Sequence, residues 1–237
     1  MSTALTPNAK RILNRWLTED KRNALIDGLS VPRTQATKLG KCAHFSLPPI
    51  STCPGSTSVC GACCYAVRFH RQYEQTREAY QRNLDAVRGL TSAQFVKAML
   101  PRIPDDRPFR IHVSGDFFSK GYIASWRKIA MMKPRVSFFG FTRSWRVARL
   151  ADALVNLNSE PNVQILASID ENTGLAPAHY RYAFMGYEAQ DKAREEWGYN
   201  RKASICANLI SKKVRCSQCR WCIDNERTLF DIVFPIH

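Results

Sequence analysis

Four cysteines fall within twelve positions of the stretch TCPGSTSVCGACCYA, residues 52–66. They are Cys53, Cys60, Cys63 and Cys64. If a helix begins near Cys60, its thiol shares a face with Cys63, three positions on, or with Cys64, four positions on. Cys53 would approach from the preceding loop, where a proline and a glycine predict a sharp turn. Because adjacent side chains diverge, three metal ligands are expected here, with the choice between Cys63 and Cys64 open.

A second group of cysteines lies near the carboxyl end of the chain. Its members follow the spacing C-x9-C-x2-C-x2-C and are Cys206, Cys216, Cys219 and Cys222. Thiolate ligands select zinc or iron–sulphur clusters, and two-residue gaps occur in the cysteine runs of bacterial ferredoxins. Four-cysteine zinc sites normally use two separated C-x2-C pairs instead. The spacing therefore favours an iron–sulphur cluster, with zinc as the alternative.

Three cysteines at the first group would leave one iron of a cubane cluster without a protein ligand. Such an iron could bind a substrate or cofactor, whereas a fourth cysteine would close the site. The alternative is a structural metal that fastens the loop to the helix, since a metal clip contributes folding energy. The isolated Cys42 is predicted to be a buried small hydrophobe, and His44 or His70 could complete a zinc site.

The elements that position these cysteines are predicted from hydrophobic periodicity. Strands are expected at residues 109–116, 136–144 and 162–170, with helices at residues 119–132 and 145–157 between them. Strands that alternate with helices at this spacing predict right-handed βαβ units and a parallel sheet. The fold class expected is therefore α/β, and periodicity leaves open whether the sheet is flat or curls toward a barrel.

The amino-terminal part is predicted to be helical on both sides of an extended region. Its segments are a helix from Thr6-Pro7 to Gly28, extended chain within residues 31–60, a long amphipathic helix over residues 62–88, and a short helix from Thr91 or Ser92 to Pro101. With 237 residues, one domain is expected over residues 1–237. Its three parts are residues 1–60, the cluster helix and βα units of 61–190, and the cysteine-rich segment 191–237.

Small and polar residues follow each of the three predicted strands. The sequences SGD, TRS and SID provide Ser114, Asp116, Arg143, Ser144 and Asp170. In parallel α/β folds, ligands collect at the carboxyl ends of the strands. These five residues are therefore predicted to line a cofactor or substrate site, although turn residues of ordinary βα loops have a similar composition.

The charge balance indicates a polyanionic partner. The chain has 35 Lys and Arg against 20 Asp and Glu, a formal net charge of +15, and the charge is spread along its length. A large positive charge favours nucleic acid first, and a merely soluble basic surface is the alternative. No apolar run approaches the roughly 18–20 residues that span a bilayer, and the amino-terminal sequence lacks a signal-peptide apolar region. A cytoplasmic protein without a membrane partner is therefore expected.

These motifs resemble the phage gene product 88 family. The matching stretches are SLPPISTCPGSTSVCGACCYA, YQRNL, FRIHVSGDFFSKGYIASWRKIA, FTRS and CSQCRWC. They extend from about residue 40 to residue 222, so the resemblance covers most of the chain. The combination of CPG-x4-C-x3-CYA with the strand HVSGDF is the most specific part of it.

That family looks like a distant, trimmed relative of radical S-adenosylmethionine proteins. The resemblance implies a partial parallel (β/α) barrel-like sheet, between an N-terminal helical and loop segment and a cysteine-rich C-terminal region. It also implies a [4Fe–4S] or [3Fe–4S] cluster held by Cys53, Cys60 and Cys64, with Cys63 as a neighbour. The spacing C-x6-C-x3-C departs from the usual C-x3-C-x2-C of radical enzymes. This departure counts against S-adenosylmethionine as a cofactor but leaves the cluster in place.

Three functions are consistent with these features. The first is a phage iron–sulphur protein that acts on or near nucleic acid in the host cytoplasm. The second is a non-catalytic nucleic-acid-binding protein in which the cysteines hold structural zinc. The third is a protein that contacts a phage or host protein whose identity the sequence does not reveal. Whether the protein is an enzyme is left open at this point.

Overall fold

Seven strands form one parallel sheet in this computed structural model, which describes residues 18–33, 38–224 and 230–235. The strands are β1 (Ala43–Phe45), β2 (Phe109–Ile111), β3 (Phe138–Thr142), β4 (Val163–Ile169), β5 (Tyr182–Met185), β6 (Ala203–Ile205) and β7 (Asp231–Phe234). Their order is β1-β2-β3-β4-β5-β7-β6, and each neighbouring pair is parallel. The predicted α/β class with a partial parallel sheet is confirmed.

Nine α-helices with complete bounds connect or flank these strands in the described residues. They are α1 (Ser58–Ala62), α2 (Tyr65–Gln72), α3 (Glu74–Gly89), α4 (Ser92–Met99), α5 (Lys120–Met132), α6 (Ala151–Asn158), α7 (Tyr187–Glu196), α8 (Ala207–Ile210) and α9 (Cys216–Cys219). Residues 18–27 are also helical and end at Gly28 as predicted, whereas the predicted start at Thr6-Pro7 lies outside the described residues. Among the helices described, none is both long and apolar enough to cross a membrane.

The two faces of the sheet are covered differently. Aromatic and aliphatic side chains of β2, β3 and β4 pack against α4, α5 and α6, and the rings of Phe109 and Trp126 lie 5.6 Å apart. Further along the sheet, α7 packs against β5 and β7. The opposite face, which includes Phe141 and Leu166, contacts the segment that carries the second cysteine group. The cysteine-rich segment thus fills the side that a closed barrel would enclose.

The prediction of a single long helix over residues 62–88 is wrong. Two extended residues divide this region into α1, α2 and α3: Cys64 (ψ 103°) precedes α2, and Tyr73 (ψ 109°) precedes α3. The apolar spacing continues across both breaks, so periodicity alone could not reveal them. The first break lies inside the cysteine stretch and therefore decides which thiols can meet.

One strand and one helix next to the carboxyl ends of the sheet are shorter than predicted. The strand expected over residues 109–116 stops at Ile111, because His112 adopts a left-handed φ of 66°. The α-helix expected over residues 145–157 begins only at Ala151, after two short 3₁₀ turns. Irregular chain is thereby left at the carboxyl ends of β2 and β3.

Candidate metal centre

Asp116 joins the carboxyl ends of β2 and β3. Its carboxylate accepts hydrogen bonds from Thr142 Oγ1 at 2.6 Å, from the Arg143 backbone N–H at 2.9 Å and from the Ser144 backbone N–H at 3.2 Å. Burial raises the pKa of Asp116, and these hydrogen bonds oppose that rise. Because the Asp116 carboxylate accepts the backbone N–H groups of Arg143 and Ser144, it fixes the backbone that carries the Arg143 side chain.

The Arg143 side chain connects three strand ends to the first cysteine group. Its Nε donates to Asp170 Oδ2 at 2.9 Å, and the Asp170 side chain is fully buried. Its Nη1 donates to Cys60 Sγ at 3.2 Å, and its Nη2 lies 3.4 Å from Met185 Sδ at the end of β5. One guanidinium therefore contacts residues from the cysteine stretch, the β4 end and the β5 end.

Thr57 fixes the short helix that carries Cys60. The Thr57 hydroxyl donates to Asp170 Oδ2 at 2.6 Å and accepts the Cys60 backbone N–H at 3.0 Å. It is thus the N-cap of α1 and is itself anchored to the β4 end. The prediction of site residues omitted Thr57, although threonine three positions before Cys60 is a recognisable N-cap signal.

Gly55 allows the cysteine loop to press against the β3 end. A Cβ atom there would stand 2.1 Å from the Arg143 carbonyl oxygen and 2.8 Å from the Ser144 nitrogen. Arg146 Nη1 also donates to the Gly55 carbonyl at 3.1 Å. A residue with any side chain at this position would force the loop away from the sheet.

Cys53 and Cys60 both lie close enough to Cys64 for its charge to act on them. The pKa of Cys53 is raised to about 12, mainly by burial, with smaller contributions from the charges of Asp116, Cys60 and Cys64. Burial also raises the pKa of Cys60, Arg143 opposes this rise, and Cys64 adds to it. Cys63 is exposed, whereas the other three are half-buried. The three thiols that the family resemblance implied are therefore near one another, and their assignment as ligands stays a prediction.

The donor set near the strand ends consists of cysteines, the residue type that binds iron–sulphur clusters. No three His, Cys, Asp or Glu side chains in the described residues are placed to hold a single metal ion. In a cubane cluster each cysteine sulphur binds a different iron, so the sulphurs need not meet at one point. Three thiols, with a guanidinium N–H directed at one of them, fit such a cluster chemically.

The second cysteine group lies on the sheet face opposite α4, α5 and α6. Cys206 follows β6 directly, α9 carries Cys216 and Cys219, and Cys222 follows shortly after. Burial raises the pKa of Cys222 to about 12, and its principal charged neighbours include Cys206, Cys216 and Cys219. These four thiols are thus gathered in one region. Cys42 is fully buried, as predicted, and lies beside Cys216, a proximity the sequence did not show.

Cationic side chains surround the second group. Burial raises the pKa of Cys216, while Arg110 and Lys38 lower it. Arg110 stacks over the Phe141 ring at 5.0 Å, and Arg181, which is mostly buried, donates to the Trp221 carbonyl at 2.8 Å. Four thiolates around a cluster carry net negative charge, which these cations would offset.

Four of the five residues predicted to line a ligand site are buried. Ser114, Asp116, Ser144 and Asp170 are each at most 5% exposed, and only Arg143 is half-buried. The hydroxyls of Ser114 and Ser144 find no hydrogen-bond partner within the described part of the chain. The five residues stand at the ends of β2, β3 and β4, as the sequence suggested. Their role in binding a ligand stays a prediction.

Sequence comparison agrees with the motifs that mark this site. The profile of the family described as Gene product 88 matches residues 10–225, a range that contains both cysteine groups. The chain belongs to the Gene product 88 family.

The matched relatives of this Gene product 88 chain are phage proteins. It is 27% identical to the Gene 88 protein of Mycobacterium phage L5 over 195 residues, which cover 75% of this chain and 80% of the relative. It is 23% identical to the Gene 88 protein of Mycobacterium phage D29 over 196 residues, with the same coverage. No solved structure matches the chain significantly. The names of these two relatives state no activity.

Proposed function

We propose that this Gene product 88 protein is an iron–sulphur protein with an accessible cluster at the carboxyl ends of β2, β3 and β4. Its ligands would be Cys53, Cys60 and Cys64, which hold a [4Fe–4S] or [3Fe–4S] cluster. The observation that supports this proposal is the hydrogen bond from Arg143, itself paired with the buried Asp170, to the Cys60 sulphur, with Cys53 and Cys64 nearby. A second cluster would be held by the group on the sheet face that includes Phe141 and Leu166: Cys206, Cys216, Cys219 and Cys222.

When bound, the cluster would supply electron transfer, and in its [4Fe–4S] form an iron without a cysteine would supply a coordination position for a ligand. The residues of the chain would position it. Arg143 donates a hydrogen bond to the Cys60 sulphur and places positive charge beside it. Asp116 and Asp170 hold Arg143 in place from two strand ends.

The proposal includes a relationship to radical S-adenosylmethionine proteins, limited to the fold and the cluster. The parallel sheet and the cysteines at its carboxyl edge support the likeness. The spacing C-x6-C-x3-C differs from that of the radical enzymes, and the five predicted lining residues are mostly buried. S-adenosylmethionine cleavage is therefore not included in the proposed function.

Nucleic acid is the proposed partner, in the host cytoplasm. The net charge of +15 supports this assignment, because polyanions bind basic surfaces through phosphate contacts and counterion release. The cluster would then act on or near the bound strand.

A non-catalytic nucleic-acid-binding protein with structural zinc is the second candidate. The way in which the cysteine loop is fastened to the sheet by Thr57, Gly55 and Arg143 favours a stabilising metal equally well. Metal analysis of protein purified without oxygen separates the two candidates. Iron with acid-labile sulphide and a broad visible absorbance is expected from the cluster. Colourless protein with stoichiometric zinc would establish the second candidate instead.

A further inference from the structure

Helix α2 exposes a row of aromatic side chains directly after Cys64. Tyr65, Phe69 and Tyr73 are 53%, 47% and 47% exposed. Tyr65 and Phe69, four residues apart, lie on one side of α2, and Tyr73 is the extended residue that directly follows the helix. The rings of Phe69 and Tyr73 are stacked, with centroids 5.9 Å apart and planes inclined by 17°. The Tyr65 hydroxyl donates to the Val113 carbonyl, which ties the start of the row to the chain after β2.

Two arginines accompany the row. Arg68 and Arg71 are exposed and form no ion pair with any described residue. By contrast, two arginines of α3 are engaged, since Arg77 pairs with Glu74 at 3.0 Å and Arg82 pairs with a further glutamate at 3.7 Å. No acidic residue occurs in the sequence of α2. The positive charge of α2 is therefore available to an external anion.

A cleft connects these arginines to the candidate cluster. It has a volume of about 520 Å³ and is lined by Cys64, Arg68 and Arg71 together with Gly61 and Gln72. An anion held by the two guanidinium groups would thus lie beside a proposed cluster ligand. Phosphate groups suit paired guanidinium groups, which donate several hydrogen bonds in a fixed geometry.

We propose that α2 is a binding platform for single-stranded nucleic acid, with bases stacked on Tyr65, Phe69 and Tyr73 and phosphates held by Arg68 and Arg71. This inference rests on the proposed function, because it brings a strand to the edge of the cysteine centre. Aromatic rows beside basic residues are the usual means of binding unpaired strands. A duplex hides the faces of its bases within its own stack, so the aromatic row selects single strands.

The test is the affinity of the full-length protein for a fluorescein-labelled oligothymidylate of about fifteen nucleotides, followed by fluorescence anisotropy. Phe69→Ala and Tyr73→Ala are each expected to weaken binding by about five- to hundredfold. Tyr187→Ala is the matched control, since Tyr187 is 45% exposed on α7, outside the platform, and its loss should leave affinity unchanged. Phe69→Trp should restore binding because it keeps an aromatic face.

The arginines give an independent readout. In a plot of the logarithm of the binding constant against that of salt concentration, Arg68→Gln with Arg71→Gln should reduce the slope by about 1.4. Arg194→Gln on α7, outside the platform, is the control for this double variant and should leave the slope unchanged. Equal affinity of the wild type and Phe69→Ala, or equal affinity for single strand and duplex, would overturn the platform.

Metal content distinguishes failure of the platform from failure of the proposed function. If the protein holds iron and sulphide but Phe69→Ala binds the strand normally, the platform alone is wrong. If strand binding depends on Phe69 and Tyr73 but the protein holds no iron, the platform stands and the cluster is wrong. Thermal unfolding of each variant, which should match the wild type because these side chains are half-exposed, shows that the fold is kept.

Discussion

At Arg143, one side chain contacts a carboxylate, a thiol and a thioether that come from three parts of the chain. Sequence reasoning placed Arg143 and Asp170 correctly, directly after β3 and β4, because a polar residue after an apolar run is visible in the sequence. It extended β2 as far as Asp116, whereas the strand ends at Ile111. It could not show that Asp116 and Asp170 would be enclosed by the protein's own donors. Asp116 and Asp170 therefore position Arg143, and their carboxylates are not exposed to bind a ligand.

Removal of Arg143 should destabilise the protein. Arg143→Gln leaves the fully buried Asp170 without its cation, so the free energy of unfolding should fall by about 3–5 kcal/mol in urea denaturation. The double variant Arg143→Gln with Asp170→Asn should recover part of that loss, since neither charge remains. A double variant no more stable than the single one would show that the pair does not carry this energy.

The two adjacent cysteines provide a matched comparison for the ligand assignment. Cys64→Ala should lose far more iron than Cys63→Ala, because Cys64 is grouped with Cys53 and Cys60 while Cys63 is exposed. Iron and sulphide per chain, measured on protein purified without oxygen, test this expectation. Equal losses from the two variants would mean that the ligand set is wrong.

His112 is expected to make stability depend on pH. Burial lowers its pKa to about 3, so it stays neutral in the fold while the unfolded chain binds a proton near pH 6.5. The free energy of unfolding therefore carries the full contribution of the neutral His112 above pH 6.5. This contribution is lost as the pH falls toward 3, by about 1.4 kcal/mol per pH unit. Urea denaturation at several pH values should show a shallower acid loss for His112→Asn, which also tolerates the left-handed φ. If the free energy of unfolding of His112→Asn falls with decreasing pH as steeply as that of the wild type, His112 is not the group responsible.

The elements predicted best are those with long, regular periodicity. Helix α5 and the strands β3 and β4 follow from their apolar patterns, and Thr91 caps α4 as a complete capping box. The breaks at Cys64 and Tyr73 could not be predicted, because each is a single extended residue within continuing helical spacing. Strands β1 and β6 have three residues each, too few to show a period.

Loop contact with the strand ends can be tested at Gly55. Gly55→Ala should reduce iron content and the free energy of unfolding, because its Cβ would overlap the Arg143 carbonyl. Gly121→Ala is the matched control, since a Cβ there meets nothing within 4 Å and should not reduce either quantity. If Gly55→Ala retains full iron content, the cysteine loop does not need this close approach.

On the scale of the whole molecule, the two cysteine groups contact different parts of one sheet. The first lies at the carboxyl ends of β2, β3 and β4, and the second lies on the sheet face opposite α4, α5 and α6. Two groups of cysteines are visible in the sequence, but their positions on the sheet are not, since the position of the C-terminal segment depends on how β7 inserts between β5 and β6. A strand order that departs from chain order leaves no local signal in the sequence.

Iron and acid-labile sulphide per chain test the central claim most directly, in the wild type and in two variants purified without oxygen. One variant replaces Cys53, Cys60 and Cys64 by alanine, and the other replaces the second group in the same way. The wild type should hold about eight irons and about eight sulphides per chain, or about seven irons and eight sulphides if the first cluster is [3Fe–4S], and each variant should lose the share of one cluster. Zinc in place of iron in the wild type, or loss of all iron in both variants, would contradict two separate iron–sulphur centres.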